Sequence, residues 1–382
     1  MYNILRHYFF KSFFFLLTSF LLINTIFAKK KYMSTFYKLA IKEVKRETPY
    51  AISVSFNIPE ELKTFYKFIA GQYVTLKLNL DGNEIRRAYS ICSSPNSNEL
   101  RIAIKEVKNG AFSSFANKGL KENNIIEVST PEGRFTFEPN FEKQKNYAAF
   151  TAGSGITPIM SILKSVLEEE PKSSFVLVYG NKSIEETIFY KELIDLQQKY
   201  IERFFIHFVF SQTNESELFG RIDKAAVNFI IRNKHKEKTF SKFYLCGPEE
   251  MILMVSDTLK EHNVPEKDIK FELFSTGTKT NAVNTQENTE HTQITVVLDS
   301  DSTTFQMSQK QTVLEAALKQ GLDAPYSCQG GICSSCICRI TEGSATMKKN
   351  QILTDSEIES GLVLACQAIP TTTTIKIDFD DV

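Results

Sequence analysis

Four of the chain's seven cysteines fall within eleven residues, at Cys328, Cys333, Cys336 and Cys338 in the stretch "CQGGICSSCICRI". The total is odd and Cys92, Cys246 and Cys366 are far apart in sequence, which does not suit a secreted disulfide framework. Thiols gathered this tightly in a reducing compartment point to a metal centre instead. The five histidines, His7, His207, His235, His262 and His291, show no pair at helical ligand spacing and are read as ordinary surface or core residues. The candidate ligands are therefore thiolates.

The intervals narrow the choice. Cys328, four residues, Cys333, two residues, Cys336, then twenty-nine residues to Cys366 is the ligand spacing of plant-type [2Fe–2S] ferredoxins. The residues "APYSCQGGICSSC" and "VLACQ" resemble that family. Two irons bridged by two sulfides need four thiolates around a compact rhomb, and a short loop supplies three only if its backbone curls around the cluster. Gly330 and Gly331 are expected to permit that curl. The rival is a structural zinc site, which usually draws on two short Cys-x2-Cys knuckles rather than one loop and a remote cysteine. Cys338, on the outgoing strand, is expected to be a bystander. Around the cysteines, "ITVVLDS", "TTFQM" and "TIKIDF" read as strands and "TVLEAALKQG" as an amphipathic helix closed by Gly321. The expected fold of this tail is a β-grasp (α+β) domain, a small sheet with one helix packed on it.

With 382 residues, 42% hydrophobic and 24% charged, the chain has room for two or three cores. Lys plus Arg and Asp plus Glu number 45 each, so no overall field would gather nucleic acid. Residues 8–28, "YFFKSFFFLLTSFLLINTIFA", are nearly continuous apolar sequence followed by "KKK", a candidate membrane or signal segment. Residues 275–292 are polar and small and read as a linker. The expected division is a hydrophobic segment 1–32, an antiparallel β-barrel 33–142, an α/β parallel-sheet domain 143–274, the linker 275–292 and the cysteine-bearing domain 293–382. The last carries eleven acidic and six basic side chains, net −5, which could dock it to the rest of the chain or to a basic partner.

Four motifs in a fixed order give the middle of the chain its reading. In "GQYVTLKLNLDGNEIRRAYSICSSP", Arg87-Ala88-Tyr89-Ser90 resembles the R-x-Y-S motif of the ferredoxin-NADP reductase superfamily. That resemblance implies that Arg87 pairs with the pyrophosphate of FAD, Tyr89 lies against the isoalloxazine and Ser90 hydrogen-bonds near its N5. Next, Gly110-Ala111-Phe112-Ser113 opens a short helix, where free N–H groups suit a phosphate. By resemblance Gly110 and Ser113 hold the FAD pyrophosphate and the run from Ile104 through Lys105 to Val107 passes beside the flavin; by residues alone this is equally a surface turn with a serine cap.

In "YAAFTAGSGITPIMSILKSVL" a buried strand runs through Thr151 into Gly153-Ser154-Gly155 and then a helix with Pro158 in its first turn, the strand–turn–helix context of a dinucleotide site. The glycines are expected to let the backbone approach pyrophosphate. Finally "FYLCGPEEMI" sets Cys246-Gly247-Pro248 at a strand end, where the ligand crevice of an open sheet lies. The resemblance places Cys246 beside the nicotinamide, whereas a buried cysteine by itself is only a small apolar side chain.

The order flavin barrel, NAD(P) domain, ferredoxin resembles the reductase components of multicomponent oxygenases, phenylacetyl-CoA epoxygenase among them, over residues 33–382. That resemblance implies an NAD(P)H-dependent oxidoreductase with FAD and one [2Fe–2S] cluster, Ser90 and Cys246 at the hydride path, and an oxygenase or other one-electron acceptor protein as partner. Catalysis then rests on positioning, and no acid–base dyad is visible. Alternatives are a general ferredoxin or cytochrome reductase, a non-catalytic binding module, and a membrane-anchored electron-input protein, whose family places its ferredoxin domain first. The expected location is cytoplasmic, anchored at the membrane's cytoplasmic face only if residues 8–28 are retained; the working chain is expected to begin at or near Met33. Gln212 after Ser211, where NADPH users often carry Arg, predicts no strong preference for NADPH, with Lys182 and Arg221 as possible substitutes.

Overall fold

The computed structural model of the chain describes residues 35–80, 82–108, 110–274 and 291–382. The apolar segment 8–28, the expected start at Met33 and most of the expected linker lie outside the described residues. Among those described, no helix is long and apolar enough to cross a membrane.

The first sheet is wholly antiparallel: β1 (Phe36–Thr48), β2 (Ala51–Asn57), β3 (Tyr73–Leu80), β4 (Asn83–Ser90), β5 (Leu100–Lys105) and β6 (Ile125–Ser129), in the order β4-β3-β6-β1-β2-β5. In β1, buried Leu39 and Ile41 alternate with exposed Lys38 and Lys42, whereas β2 is covered on both faces, Val54 in the barrel core and Ala51 in a second one. Helix α1 (Ala111–Gly119) closes one end with Phe112 in the same core.

The second sheet is wholly parallel: β7 (Asn146–Ala152), β8 (Ser174–Asn181), β9 (Phe204–Phe210), β10 (Leu218–Phe219), β11 (Phe240–Gly247) and β12 (Ile269–Leu273), in the order β10-β9-β8-β7-β11-β12. It is flanked by α2 (Ile156–Glu169), α3 (Tyr190–Lys199), α4 (Lys224–Asn228) and α5 (Glu249–Glu261). Strands buried on both faces need no alternation, and Phe175 to Tyr179 of β8 are all fully covered. The strand order reverses between β7 and β11, so the crevice expected of such a sheet opens at their carboxyl ends. Barrel and sheet share one core: Ala51, Cys92, Ala103, Phe135 and Phe137 pack with Ile156, Met160 and Leu163 of α2. Ser161 Oγ adds a 2.7 Å hydrogen bond to the carbonyl of Ser93.

The third sheet comprises β13 (His291–Leu298), β14 (Asp301–Ser308), β15 (Ile337–Glu342), β17 (Leu362–Leu364) and β19 (Thr374–Asp378), with β16 (Ala345–Met347) and β18 (Ala368–Pro370) pairing separately. Its order is β14-β13-β19-β15-β17, and β13 runs parallel to β19. Helix α6 (Val313–Lys319) packs across it behind a capping box between Thr312 and Glu315. A short α7 (Asp355–Glu359) and the β16–β18 pair are additions to the expected single helix and sheet. Strand β13 begins at His291, two residues inside the expected linker.

Two histidines that sequence spacing kept apart meet here. His207 Nε2 on β9 lies 2.8 Å from His235 Nε2, and both rings are buried. His207 Nδ1 faces Glu217 Oε2 at 3.6 Å, so the two imidazoles are held neutral with one N–H between them. Burial, and then His207, pushes His235 down to about 4; burial also lowers His207 against the opposing pull of Glu217. A base whose folded pKa is depressed stabilises fully above its unfolded value near 6.5 and loses that contribution as pH falls toward 4. The melting temperature should therefore drop between pH 6.5 and 4 in thermal scans, and a His235→Gln chain should show a visibly flatter profile over that window.

Candidate functional site

The carboxyl ends of β7 and β11 are joined at close range. Thr151 Oγ1 donates 2.7 Å to the carbonyl of Cys246, its register partner across the two strands. The turn after β7 rests on the same backbone: a Cβ at Gly155 would stand 2.3 Å from the Cys246 carbonyl oxygen and 2.9 Å from the Gly247 nitrogen. Gly155 is thus required by strand packing. Gly153 is the open one, left-handed at φ 55° with only Lys105 Nζ within reach at 3.5 Å. Pro158 is the third residue of α2, where no intrahelical N–H is owed. Pro248 precedes α5 directly.

The barrel meets this crevice through the end of β4. Ser90 is 3% exposed and its Oγ donates to Glu272 Oε2 at 3.2 Å. Glu272 lies on β12 as the register partner of Cys246. Its partly buried carboxyl is pushed up to about 8 by desolvation, opposed by the Ser90 hydrogen bond. The sequence did not point to Glu272, which belongs to an edge strand 182 residues from Ser90 and carries no local motif. Cys246 is fully buried, and burial followed by Glu272 drives its thiol well up. It is a neutral wall rather than a nucleophile.

The other barrel residues divide. Tyr89 packs its ring 5.7 Å from that of Phe112 on α1, and Arg87 is exposed, with Nη1 on the Arg86 carbonyl at 2.7 Å. Ile104 turns its side chain into the barrel core and gives its carbonyl to Asn117 Nδ2 at 3.1 Å, so it offers no side chain to a ligand. The Ser113 hydroxyl takes the Val107 amide at 3.0 Å and closes on Gly110, where a Cβ would meet it at 2.5 Å. For an anion there remain the first-turn N–H groups of α1, whose N-cap Gly110 has no capping side chain. Arg86, unremarked in the sequence, is 5% exposed and reaches the third domain, with Asp323 Oδ1 at 2.8 Å and the Tyr326 ring at 4.5 Å.

The four candidate cysteine ligands fall in two neighbouring pairs, Cys328 beside Cys333 and Cys336 beside Cys366. Backbone N–H groups of Gly330, Ile332 and Cys333 face the Cys328 sulfur, Gly330 at 3.3 Å. The left-handed positions of the loop are Gln329 (φ 52°) and Gly331 (φ 73°), whose Cβ would stand 2.7 Å from the Lys349 carbonyl oxygen; Gly330 serves as a donor. Two adjacent thiolate pairs with amides aimed at sulfur fit two irons sharing sulfides. Among the described residues no group of three or more ligating side chains lies close enough to hold a single ion. Cys338 points away, its Sγ 3.8 Å from the Val363 carbonyl. The cluster loop also docks on the second sheet: Ile332 enters the core of Leu245, Ile252 and Leu273.

Comparison with known proteins agrees with these parts. The model of an oxidoreductase FAD-binding domain matches residues 38–137, that of an oxidoreductase NAD-binding domain residues 150–257, and that of a 2Fe-2S iron-sulfur cluster binding domain residues 296–371. The chain is 37% identical over 353 residues to one of the subunits of 1,2-phenylacetyl-CoA epoxidase from Escherichia coli (strain K12), covering 91% of this chain and 99% of that protein. It is 29% identical over 350 residues to the 3-ketosteroid-9-alpha-monooxygenase ferredoxin reductase component of Rhodococcus rhodochrous, covering 89% and 96%. Among solved structures, phthalate dioxygenase reductase shares the fold with a TM-score of 0.58 at 23% identity, covering 90% of this chain and 98% of that one.

Glu272 supplies a test of the seam. A carboxyl whose folded pKa is raised stabilises most below its ordinary value near 4.5 and loses that contribution as pH climbs through about 8. Glu272→Gln should flatten the decline in melting temperature between those limits, while Glu272→Ala, leaving Ser90 without its acceptor, should cost roughly 1–3 kcal/mol at pH 6.

Proposed function

We propose a course for the electrons on the premise that the chain belongs to the reductase components of multicomponent oxygenases, the family whose members join FAD-binding, NAD-binding and 2Fe-2S domains. The chain is an NAD(P)H-dependent oxidoreductase with FAD and a [2Fe–2S] cluster. Bound flavin accepts a hydride and releases electrons singly, and the cluster carries one at a time.

The protein's own groups supply positioning. Gly153, Gly155 and the amides around them seat the nucleotide at the carboxyl ends of β7 and β11, with Thr151 tying the two strands and Gly247-Pro248 shaping the far lip. Cys246 forms the wall on the nicotinamide side. Tyr89, Arg87, Lys105 and the first turn of α1 take the FAD side, Val107 flanking it. Ser90 stands between, and Glu272, protonated near neutral pH, holds a proton one hydrogen bond behind it. Cys328, Cys333, Cys336 and Cys366 hold the exit centre. The observation that carries this reading is the meeting of Ser90 from the barrel with Glu272 and Cys246 from the sheet, beside a docked cluster loop.

The acceptor follows from the family: an oxygenase component, and by likeness to the 1,2-phenylacetyl-CoA epoxidase protein, one that epoxidises an aromatic acyl-CoA. NAD(P)H as reductant argues for the cytoplasm.

Purified chain should contain FAD with iron and acid-labile sulfide near two each, and Cys366→Ser should abolish or badly perturb the cluster spectrum. Zinc without sulfide in metal analysis would refute the reading. Cys246→Ala should slow hydride transfer in stopped-flow traces with flavin content intact.

Lys182, one of the two candidate anchors for a 2′-phosphate, is paired with Glu186 at 3.4 Å, and its carbonyl accepts from the amide of Gln212 at 2.9 Å. Steady-state kinetics should therefore show no strong preference for NADPH; a kcat/KM ratio favouring NADPH by about a hundredfold, the scale of a charge-assisted Arg contact, would overturn this.

A further inference from the structure

Tyr73 opens β3 directly opposite Ser90 in the antiparallel register. It is 4% exposed, with its ring so close over Gly133 that a Cβ there would meet it at 3.0 Å. Its hydroxyl leaves the barrel altogether. It lies 2.9 Å from Ser335 Oγ and 3.4 Å from Ser334 Oγ, the two residues that separate Cys333 from Cys336.

Ser335 Oγ in turn reaches Glu132 Oε1 at 3.2 Å. Glu132 is bound back to Tyr73 by two main-chain hydrogen bonds, of 2.8 and 2.9 Å. A carboxylate only accepts, which sets the directions: Ser335 gives its one proton to Glu132 and so accepts from Tyr73, leaving Ser334 to donate to the phenol oxygen. In a ferredoxin domain by itself these two serines are spacers between ligands. Here Ser335 is buried and its hydroxyl is spent on the barrel.

We propose that Tyr73 is a positioning residue for electron transfer: through Ser335 and Glu132 it holds the cluster loop against the strand pair that carries Ser90, and so sets the gap the electron crosses. The proposal rests on the reading above, in which Ser90 faces the flavin and the four cysteines carry the cluster. One electron crosses per event. The bound flavin is oxidised by one, the cluster is reduced by one, no covalent bond forms or breaks, and NAD(P)H replenishes the flavin two electrons at a time.

The test uses the full chain with both cofactors, mixed anaerobically with NADH in stopped flow, reading flavin bleaching and then cluster bleaching. In Tyr73→Phe the first phase should keep its wild-type rate and the second should slow roughly three- to tenfold, the scale of one or two lost net hydrogen bonds. Ser335→Ala should do the same, and Ser335→Thr, which keeps a hydroxyl, should restore the rate. Hydrogen exchange over 328–336 in the oxidised holoprotein should quicken in Tyr73→Phe and Ser335→Ala and not in Ser335→Thr. A second phase at wild-type rate in both hydroxyl-deleted variants would overturn the proposal even if exchange quickens, and so would failure of Ser335→Thr to rescue. Should Tyr73→Phe not fold, the serine pair decides alone. A wild-type trace in which flavin bleaches and the cluster never follows would refute the functional reading, and this inference with it.

Discussion

The chemistry of this molecule depends on a close approach that only glycine allows. Because Gly155 has no side chain, the start of α2 settles onto the Cys246–Gly247 backbone, where a single added carbon would stand 2.3 Å from a carbonyl oxygen. That contact pulls the turn after β7 down onto the end of β11, and the 2.7 Å bond from Thr151 to the same carbonyl holds it. The crevice is consequently lined by both strands at once, with Gly153 as its open rim. Helix α2, anchored there, carries Ile156, Met160 and Leu163 into the core it shares with the barrel. Seating the helix elsewhere would separate Ser90 from Glu272.

A shared apolar core makes barrel and parallel sheet one rigid support, whereas the third domain is held differently. Its contacts include Arg86 to Asp323 at 2.8 Å, Arg86 over the Tyr326 ring, Arg134 to Glu357, Lys349 and Gln351 to Glu249, the Tyr73 relay, and the apolar insertion of Ile332 with Cys328 packed against the same core. Ion pairs with an exposed partner, as Asp323 is, contribute about 0–1 kcal/mol each. Such an interface resembles a transient protein–protein contact more than a core. That suits a domain that takes an electron from one partner and gives it to another. Two of the acidic residues in its net −5 surplus are met by barrel arginines, so part of that surplus docks the halves of the chain to each other.

Glu249, which receives Lys349 and Gln351, is the first residue of α5 after Cys246-Gly247-Pro248. The third domain therefore touches both sides of the seam, the barrel at Tyr73 and the parallel-sheet domain at Glu249.

By itself, the sequence determined the three kinds of sheet and pointed to the loop cysteines of the candidate ligand set, because those signals are local. Cys328, Cys333 and Cys336 share one loop whose spacing is itself the geometric demand; alternation in β1 and the continuous apolar run of β8 each declare which faces are covered; the Gly153-Ser154-Gly155 turn sits between a strand and a helix that any reading would find. Of the two loop glycines expected to permit the curl, Gly331 takes the left-handed conformation and Gly330 turns its N–H to the Cys328 sulfur, while the strand packing that Gly155 allows was not legible in the pattern. Glu272, the His207–His235 pair, Arg86 and Tyr73 were illegible for one physical reason. Each acquires its role from a partner 28 to 262 residues away, and a hydrogen bond at that separation leaves no period or spacing in the chain. Which strand end faces which is decided only when the barrel, the sheet and the cluster loop pack, because burial and desolvation, the causes that raise Glu272 and depress His235, do not exist until then.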